Sequence, residues 1–101
     1  MAKIDMFLAM VLANAKRVEA CGLVLTVQQR NTRMDLVMAD DSLQSMTAPP
    51  ADVMIEIITA LEGGQRDFRA SVYSTLIEDV EVRRGTDGMQ AYIKSWTIDR
   101  E

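Results

Sequence analysis

The sequence predicts a two-layer α+β domain, with two helices packed on one face of an antiparallel sheet. Apolar residues recur at helical spacing in two segments, 3–20 and about 50–62. The segments that follow each of them alternate polar and apolar residues, as half-buried strands do. Turn residues separate these segments at short intervals. The expected element order is α-β-β-β-α-β-β-β, in a single domain over residues 1–101.

The first helix is expected over residues 3–20, with Gly22 as its terminator. Its first turns are apolar on more than one face, which predicts burial on two sides. The second apolar face therefore either packs deeply on the sheet or meets a protein partner, and Phe7 and Met10 are candidate contact residues. The sequence Ala13-Asn14-Ala15 also has the shape of a signal-peptidase site. The preceding apolar run is too short to span a bilayer, so a packed helix is preferred.

Two alternating segments, 22–29 and 32–39, are predicted as the first two strands. The connection between them is predicted to turn at Asn31, since asparagine tolerates a positive φ. Asp40 and Asp41 predict the next tight turn, and residues 42–46 a short third strand.

The sequence Thr47-Ala48-Pro49-Pro50 predicts the end of the third strand and the start of the second helix. Proline cannot donate to a sheet ladder, but it suits the first turn of a helix. Asp52 in that turn complements the helix dipole, and Gly63-Gly64 predicts the helix end. Four side chains form the expected buried stripe: Met54, Ile57, Ile58 and Leu61.

The last third of the chain is predicted to contain strands at 67–74, 77–84 and 89–98, with a hairpin turn at 85–88. Alternation along the last strand places Tyr92 and Trp96 on its outward side. Outward aromatic side chains are typical of protein contact surfaces, so both are candidate contact residues. The alternative is a twist or bulge that turns Trp96 into the core.

Arginines in the same region predict a local basic patch. Arg69 and Arg83 are outward by alternation and would share the exposed sheet face beside Tyr73 if their strands pair. Such a patch could bind a phosphate group or an acidic protein surface. The alternative is that the arginines form ion pairs across strands with Glu78 or Glu81.

Composition excludes several functions. The net charge is −4 and the pI is about 4.7, which disfavours nucleic acid as the main partner. The chain has no histidine, the commonest general base and metal ligand, so no Ser-His-Asp or Cys-His site exists within it. The pair Asp40-Asp41 lacks a third oxygen ligand at regular spacing. We therefore predict no catalytic residue, no cofactor and no metal, and a chain that is not an enzyme.

The chain has a single cysteine, Cys21, which excludes an internal disulfide and fits the reducing cytoplasm. Its position before Gly22, between helix and strand, predicts a buried small apolar residue.

Over residues 20–98, the chain resembles the small N-terminal domain that precedes the motor in type II secretion and type IV pilus ATPases. That domain has a PAS-like α+β fold. Five sequence features carry the resemblance: a second strand at 33–39, the turn residues Asp40 and Leu43, Ala48-Pro49-Pro50, Val80-Glu81-Val82-Arg83 and Gln90-Ala91-Tyr92-Ile93.

The chain departs from that family in two respects. The family's first strand opens with serine or threonine, aspartate, an apolar residue and histidine, where this chain has Cys21-Gly22-Leu23-Val24. The motor's phosphate loop, G-x-x-x-x-G-K-[ST], is absent. The resemblance therefore implies a module without ATPase activity. It also aligns Arg83 with a strand arginine that reaches nucleotide on the neighbouring motor.

The expected function is that of a non-catalytic interaction or adaptor module in a bacterial secretion or pilus-type assembly. Its partner would be a protein, including another copy of itself, and the chain would be cytoplasmic without a membrane span. The alternative is a PAS-like domain that senses a small molecule. Interaction predicts an exposed apolar patch, whereas sensing predicts an enclosed apolar cavity under the sheet.

Overall fold

A computed structural model describes residues 3–100 of the chain, and the side chains of residues 4–99. It confirms the predicted α+β class and element order. The sheet is antiparallel, with strand order β3-β2-β1-β6-β5-β4, so the first and last strands pair at its centre. In chain order, the elements are α1 Lys3–Arg17, β1 Gly22–Gln28, β2 Asn31–Val37, β3 Leu43–Met46, α2 Ala51–Glu62, β4 Asp67–Arg69, β5 Tyr73–Arg84 and β6 Gly88–Arg100.

Helix α1 ends at Arg17, earlier than predicted, and Gly22 is instead the first residue of β1. Glu19 adopts a φ of 63°. The Ala20 N–H donates to the Ala15 carbonyl at 2.9 Å, across the end of the helix. This is a Schellman-type ending, with glutamate in the left-handed position that glycine usually takes. Burial of Ala15 and Ala20 holds the ending in place.

The turn between β1 and β2 has a positive φ of 57° at Gln29, so the prediction that Asn31 takes this role is wrong. Asn31 is already in β2, opposite Gln28. The reason is the strand register, which places Leu25 opposite Met34 and so keeps both apolar sides facing the helices. That register leaves a two-residue loop at 29–30.

Helix α2 begins after Pro50 and buries all four residues of the predicted stripe, which confirms that prediction. Gly64 has a φ of 103°, the left-handed conformation that glycine tolerates best. Its N–H donates to Leu61 at 3.2 Å, and the Gln65 N–H donates to Ala60 at 3.0 Å. The helix therefore ends at the double glycine, as predicted.

The predicted strand at 67–74 is wrong, because the chain bends at 70–72 and forms a short hairpin. The Ala70 N–H donates to the Tyr73 carbonyl at 2.9 Å across this bend. Phe68 on β4 is buried, but Val72 in the bend is 64% exposed. Alternation alone cannot distinguish one strand from two when the turn carries no glycine or proline.

The register between β5 and β6 is irregular near Asp79, opposite Ser95. Before this break in β6, Ile93 is buried; after it, Trp96 is buried at 2% exposure. A bulge-like irregularity shifts the alternation by one residue and so exchanges the two faces of the strand. Of the two predicted orientations of Trp96, the outward one is therefore wrong, and the alternative, a bulge that turns it into the core, is confirmed. Tyr92, ahead of the break, lies on the sheet's outer face.

Both described helices pack on one face of the sheet, and neither lies on its other face, called the outer face below. Helix α1 packs mainly against β4 and β5, and α2 mainly against β1 and β6. The core between the layers is mostly aliphatic. Its largest fully buried side chains include Leu8, Leu12, Leu23, Leu25, Met54, Ile57, Phe68 and Ile93.

Candidate protein-contact site

The structure separates the predicted contact residues into two regions. Met10 and Tyr73 line one groove beside α1, and Trp96 lies beneath one end of it. Arg83 and Tyr92 line a small depression on the outer face of the sheet. The two remaining candidates are Phe7, which is half-buried and packs against the core, and Arg69, which is exposed on β4.

The groove beside α1, called the α1 groove, lies between this helix and the paired ends of β5 and β6. Met10 is its most exposed apolar residue, at 54%, and Met6 one turn earlier is 46% exposed. Methionine side chains are flexible and adapt to differently shaped partners. The groove is lined by Met10, Ala13, Asn14, Lys16, Arg17, Tyr73 and Ile98.

The basic end of the α1 groove is held in a defined geometry. Lys16 Nζ donates to the Trp96 carbonyl at 2.8 Å and lies 5.0 Å from the centroid of the Trp96 ring. Arg17 Nη2 donates to Asn14 Oδ1 at 2.7 Å. Trp96 is itself fixed, because its Nε1–H donates to the Leu12 carbonyl at 3.0 Å. The groove therefore combines apolar walls with two positioned positive charges.

The sequence prediction found Met10 and Tyr73 but missed the other groove residues, notably Ile98. Ile98 lies on β6 beyond the register break, and its half-buried side chain packs against the core. Alternation counted from Met89 places it on the opposite face. A glycine or proline would have signalled the break in the sequence, but residues 93–98 contain neither.

On the outer face, Arg83 has an ion-pair partner within its own strand. Arg83 Nη2 lies 2.9 Å from Glu81 Oε2, and Lys94 on β6 lies 3.2 Å from Glu81 Oε1. The hydrogen bonds from Arg83, and then those from Lys94, lower the pKa of the Glu81 carboxyl. Lys94 Nζ also lies 5.5 Å from the centroid of the Tyr92 ring. Glu78 and Glu81 were the two expected partners of Arg83. Arg83 pairs with Glu81, which lies on the same strand rather than on a neighbouring one.

Gly22 at the start of β1 makes room for the Tyr92 ring. A Cβ atom at Gly22 would lie 2.8 Å from Tyr92 Cε1. Contacts this short do not persist, so a larger residue here would displace the ring.

The arginines do not form the predicted shared patch. Arg83 is ten residues along β5 from Tyr73, which corresponds to roughly 33 Å of extended strand. Arg69 lies at the Tyr73 end, opposite Ser74. The shared face beside Tyr73 is thus wrong, because the bend at 70–72 pairs Arg69 with the start of β5, whereas Arg83 lies near the other end of that strand.

Two further arginines contact the C-terminal end of α2. Arg66 donates to the Leu61 carbonyl at 2.8 Å and so caps the end of α2. Arg84 lies 2.8 Å from Glu62 Oε1, and this contact lowers the pKa of Glu62 and raises that of Arg84. Their hydrogen bonds give both side chains a structural role.

The prediction of a buried Cys21 is wrong, because its side chain is exposed. Asp40 accepts hydrogen bonds from the Ser42 N–H at 3.0 Å and the Ser42 hydroxyl at 2.5 Å, which lower its pKa. Asp41 has a φ of 68°, so the predicted turn is confirmed. Among residues 3–100, no three Cys, Asp or Glu side chains come together as a potential metal site.

Comparisons with known proteins leave the chain without an assigned family. No family model matches it, and neither the curated proteins nor the solved structures contain a significant match. Within the described part of the chain, no helix has the length and apolar character needed to cross a bilayer.

Proposed function

We propose that this chain is a non-catalytic protein-interaction module and that the α1 groove is its contact surface. The observation that carries the proposal is the 54% exposure of Met10 beside the apolar wall formed by Tyr73 and Ile98. Grouped apolar side chains that remain exposed on a folded domain are typical of contact sites. Partner binding would remove these side chains from water.

The groove favours an amphipathic partner segment with acidic residues next to its apolar anchors. Lys16 and Arg17 place positive charge at one end, although the whole chain carries a net charge of −4. Because the remaining charges of the chain are net negative, the basic end would orient such a partner along the groove. Helix-in-groove binding commonly uses this combination of apolar anchors and flanking charge.

We also propose that the module acts in the cytoplasm, within a bacterial secretion or pilus-type assembly. The resemblance to the N-terminal domain of the secretion and pilus ATPases supports this proposal. The positions of α2 after Pro49-Pro50 and of the closing β5–β6 hairpin are consistent with it. Because the chain lacks the phosphate loop, its contribution would be binding rather than ATP hydrolysis.

The sensing alternative has less support. It requires an enclosed apolar cavity between the helices and the sheet. Leu8, Met54 and Phe68 occupy that region as fully buried core side chains. The α1 groove, in contrast, is open to solvent, as a protein contact surface must be.

Site-specific photo-crosslinking tests the groove. A photoreactive residue is placed at Met10 and, as a matched control, at Ile55, an apolar position on α2 that is 38% exposed. We expect a discrete protein adduct from Met10 and none from Ile55. The captured protein is then purified and titrated against the variants. Met10→Lys should weaken its binding by about tenfold or more, because a charge replaces a central apolar contact, whereas Ile55→Lys should not.

Two results would contradict the α1 groove as the contact surface. The first is adducts of equal yield from Met10 and Ile55. The second is a captured partner that binds the Met10→Lys variant as tightly as the unmodified protein.

A further inference from the structure

Strand β5 has an open edge along most of its length. It spans twelve residues, but β4 pairs only with residues 74–76. Among the described strands, none pairs with this side of β5 from residue 78 to residue 84. Unpaired N–H and C=O groups along a strand edge are a template for another strand.

The hairpin bond identifies which backbone groups point to the open side. The Gly85 N–H donates to the Gly88 carbonyl at 2.9 Å, so residue 85 bonds toward β6. In an antiparallel pair, successive residues bond alternately toward one neighbour and the other. The N–H and C=O groups of Val80, Val82 and Arg84 therefore point away from β6, toward the open edge.

The side chains along this edge alternate in character. Val80 and Val82 are half-buried on the helix side and pack against the core. Glu81 and Arg83 lie on the outer face, 2.9 Å apart. Natural edges are often protected from pairing by charged side chains, especially lysines, which repel an identical edge. This edge instead carries charges of both signs, two residues apart.

We propose that a second copy of this chain adds to the sheet along this edge, antiparallel to β5, about a two-fold axis at Val82. Val82 would lie opposite Val82 of the second copy. Glu81 would lie opposite Arg83 of the second copy, and Arg83 would lie opposite Glu81 of the second copy. The backbone groups of Val80, Val82 and Arg84 would then pair with those of the second copy.

The charges select this register over its neighbours. An axis at Val80 would place Asp79 opposite Glu81. An axis at Glu81 would place the two Glu81 side chains opposite each other at its centre, with unlike charges only farther out, where Asp79 would lie opposite Arg83. Like charges directly opposite each other destabilise a strand pair, and unlike charges stabilise it. Of these three registers, the one centred on Val82 brings only unlike charges together. The second copy is therefore the occupant whose charges match the edge.

This inference rests on the proposed interaction function, since it names a second copy as one partner, but it uses a different surface. The residues that line the α1 groove and the residues of the open edge, 78–84, do not overlap. Either surface can therefore fail its test without affecting the other.

Charge-swap variants test the edge. Glu81→Arg and Arg83→Glu each place like charges opposite one another across the two-fold axis. We expect each variant alone to dimerise about tenfold more weakly than the unmodified protein. Sedimentation velocity over a range of protein concentrations measures this. An equimolar mixture of the two variants should form a heterodimer, because each chain then offers the charge that the other lacks.

The mixture is decisive because mixing does not restore the Glu81–Arg83 pair within either chain. A restored dimer therefore reports contact between chains rather than repaired folding. Met10→Lys, a variant of the α1 groove, should dimerise like the unmodified protein. The proposal is overturned if the unmodified protein stays monomeric at millimolar concentration. It is also overturned if the mixture associates no more strongly than either variant alone.

Discussion

The two three-stranded halves of the sheet differ in regularity. The first half, β1–β3, has strands of seven, seven and four residues with a continuous register. The second half, β4–β6, has strands of three, twelve and thirteen residues with a break near Asp79. Each half follows a helix, and the two meet where β1 pairs with β6. The comparison shows that alternation assigns faces correctly only along an unbroken register.

Of the two halves of the sheet, the irregular one contributes more to the proposed contact surfaces. Its register break turns Trp96 under α1 and brings Ile98 to the wall of the α1 groove. Its long β5, only partly covered by β4, leaves the open edge. The first half, in contrast, mainly supplies regular core strands. Departures from regularity thus coincide with the surfaces that we propose to be functional.

The largest expected effect is the difference in stability between alanine variants at Trp96 and at Tyr92. Unbroken alternation would place these two residues on one face of β6. Trp96→Ala should destabilise the protein by about 3–5 kcal/mol, because it leaves a large cavity under α1. Tyr92→Ala should cost only about 1 kcal/mol, because its ring is half-buried on the outer face. Urea unfolding followed by circular dichroism measures both.

If Trp96→Ala does not fold, Trp96→Phe preserves the comparison, because it retains most of the buried ring and loses the hydrogen bond to Leu12. We expect it to cost about 1–2 kcal/mol. Equal destabilisation by the two alanine variants would contradict the register break.

The next largest effect tests how closely β1, in the first half, approaches the hairpin turn between β5 and β6, in the second half. A Cβ atom at Gly88 would lie 2.1 Å from the Val27 carbonyl oxygen on β1. A Cβ atom at Gly85, in contrast, would have no atom within 4 Å of it. Gly88→Ala should therefore destabilise the protein by about 1–3 kcal/mol, because backbone must move. Gly85→Ala, its matched control, should change stability by less than about 0.5 kcal/mol. Thermal unfolding compares them, and similar melting temperatures would contradict the close approach of β1 and β6.

The smallest effect is pH-dependent and concerns the ion pair between α2 and β5. Arg84 lowers the pKa of Glu62 below 4.5, so the pair stabilises the folded state above that pH. The stabilisation should disappear as the pH falls through the folded-state pKa. Glu62→Gln should therefore lower the urea midpoint slightly at pH 7 and by less at about pH 3, which lies below 4.5.

Asp40 in the first half provides the comparison for this titration. Ser42 lowers its pKa from 3.8, so the effect of Asp40→Asn should begin to decline only below that pH, whereas the effect of Glu62→Gln begins to decline below 4.5. A Glu62→Gln effect that is equally large at both pH values would show that it does not arise from the charge of Glu62.

Much of the fold could be predicted because its signals are local. The stripe of α2, the double proline before it and the double glycine after it were all assigned correctly from residue type and spacing. The turn at Asp40-Asp41 was likewise predicted from residues that favour turns. These features depend on interactions among neighbours in the chain.

The candidate site was predicted only in part, because its members come from distant segments. Met10 and Tyr73 were expected at contact surfaces, but nothing in the sequence placed them in one groove. The Arg69–Arg83 patch failed because the chain bends at 70–72, where no glycine or proline marks a turn. Strand boundaries of this kind depend on pairing with β5, which is a long-range interaction.

The sequence by itself determined the α+β class, the element order and most of the core, because hydrophobic periodicity reports which face of each element is buried. Tertiary structure decided the faces after the register break, the burial of Trp96, the exposure of Cys21 and the assembly of the α1 groove. The physical reason is that strand pairing satisfies backbone groups across the whole sheet, and a one-residue shift in that pairing exchanges inside and outside without changing the local sequence.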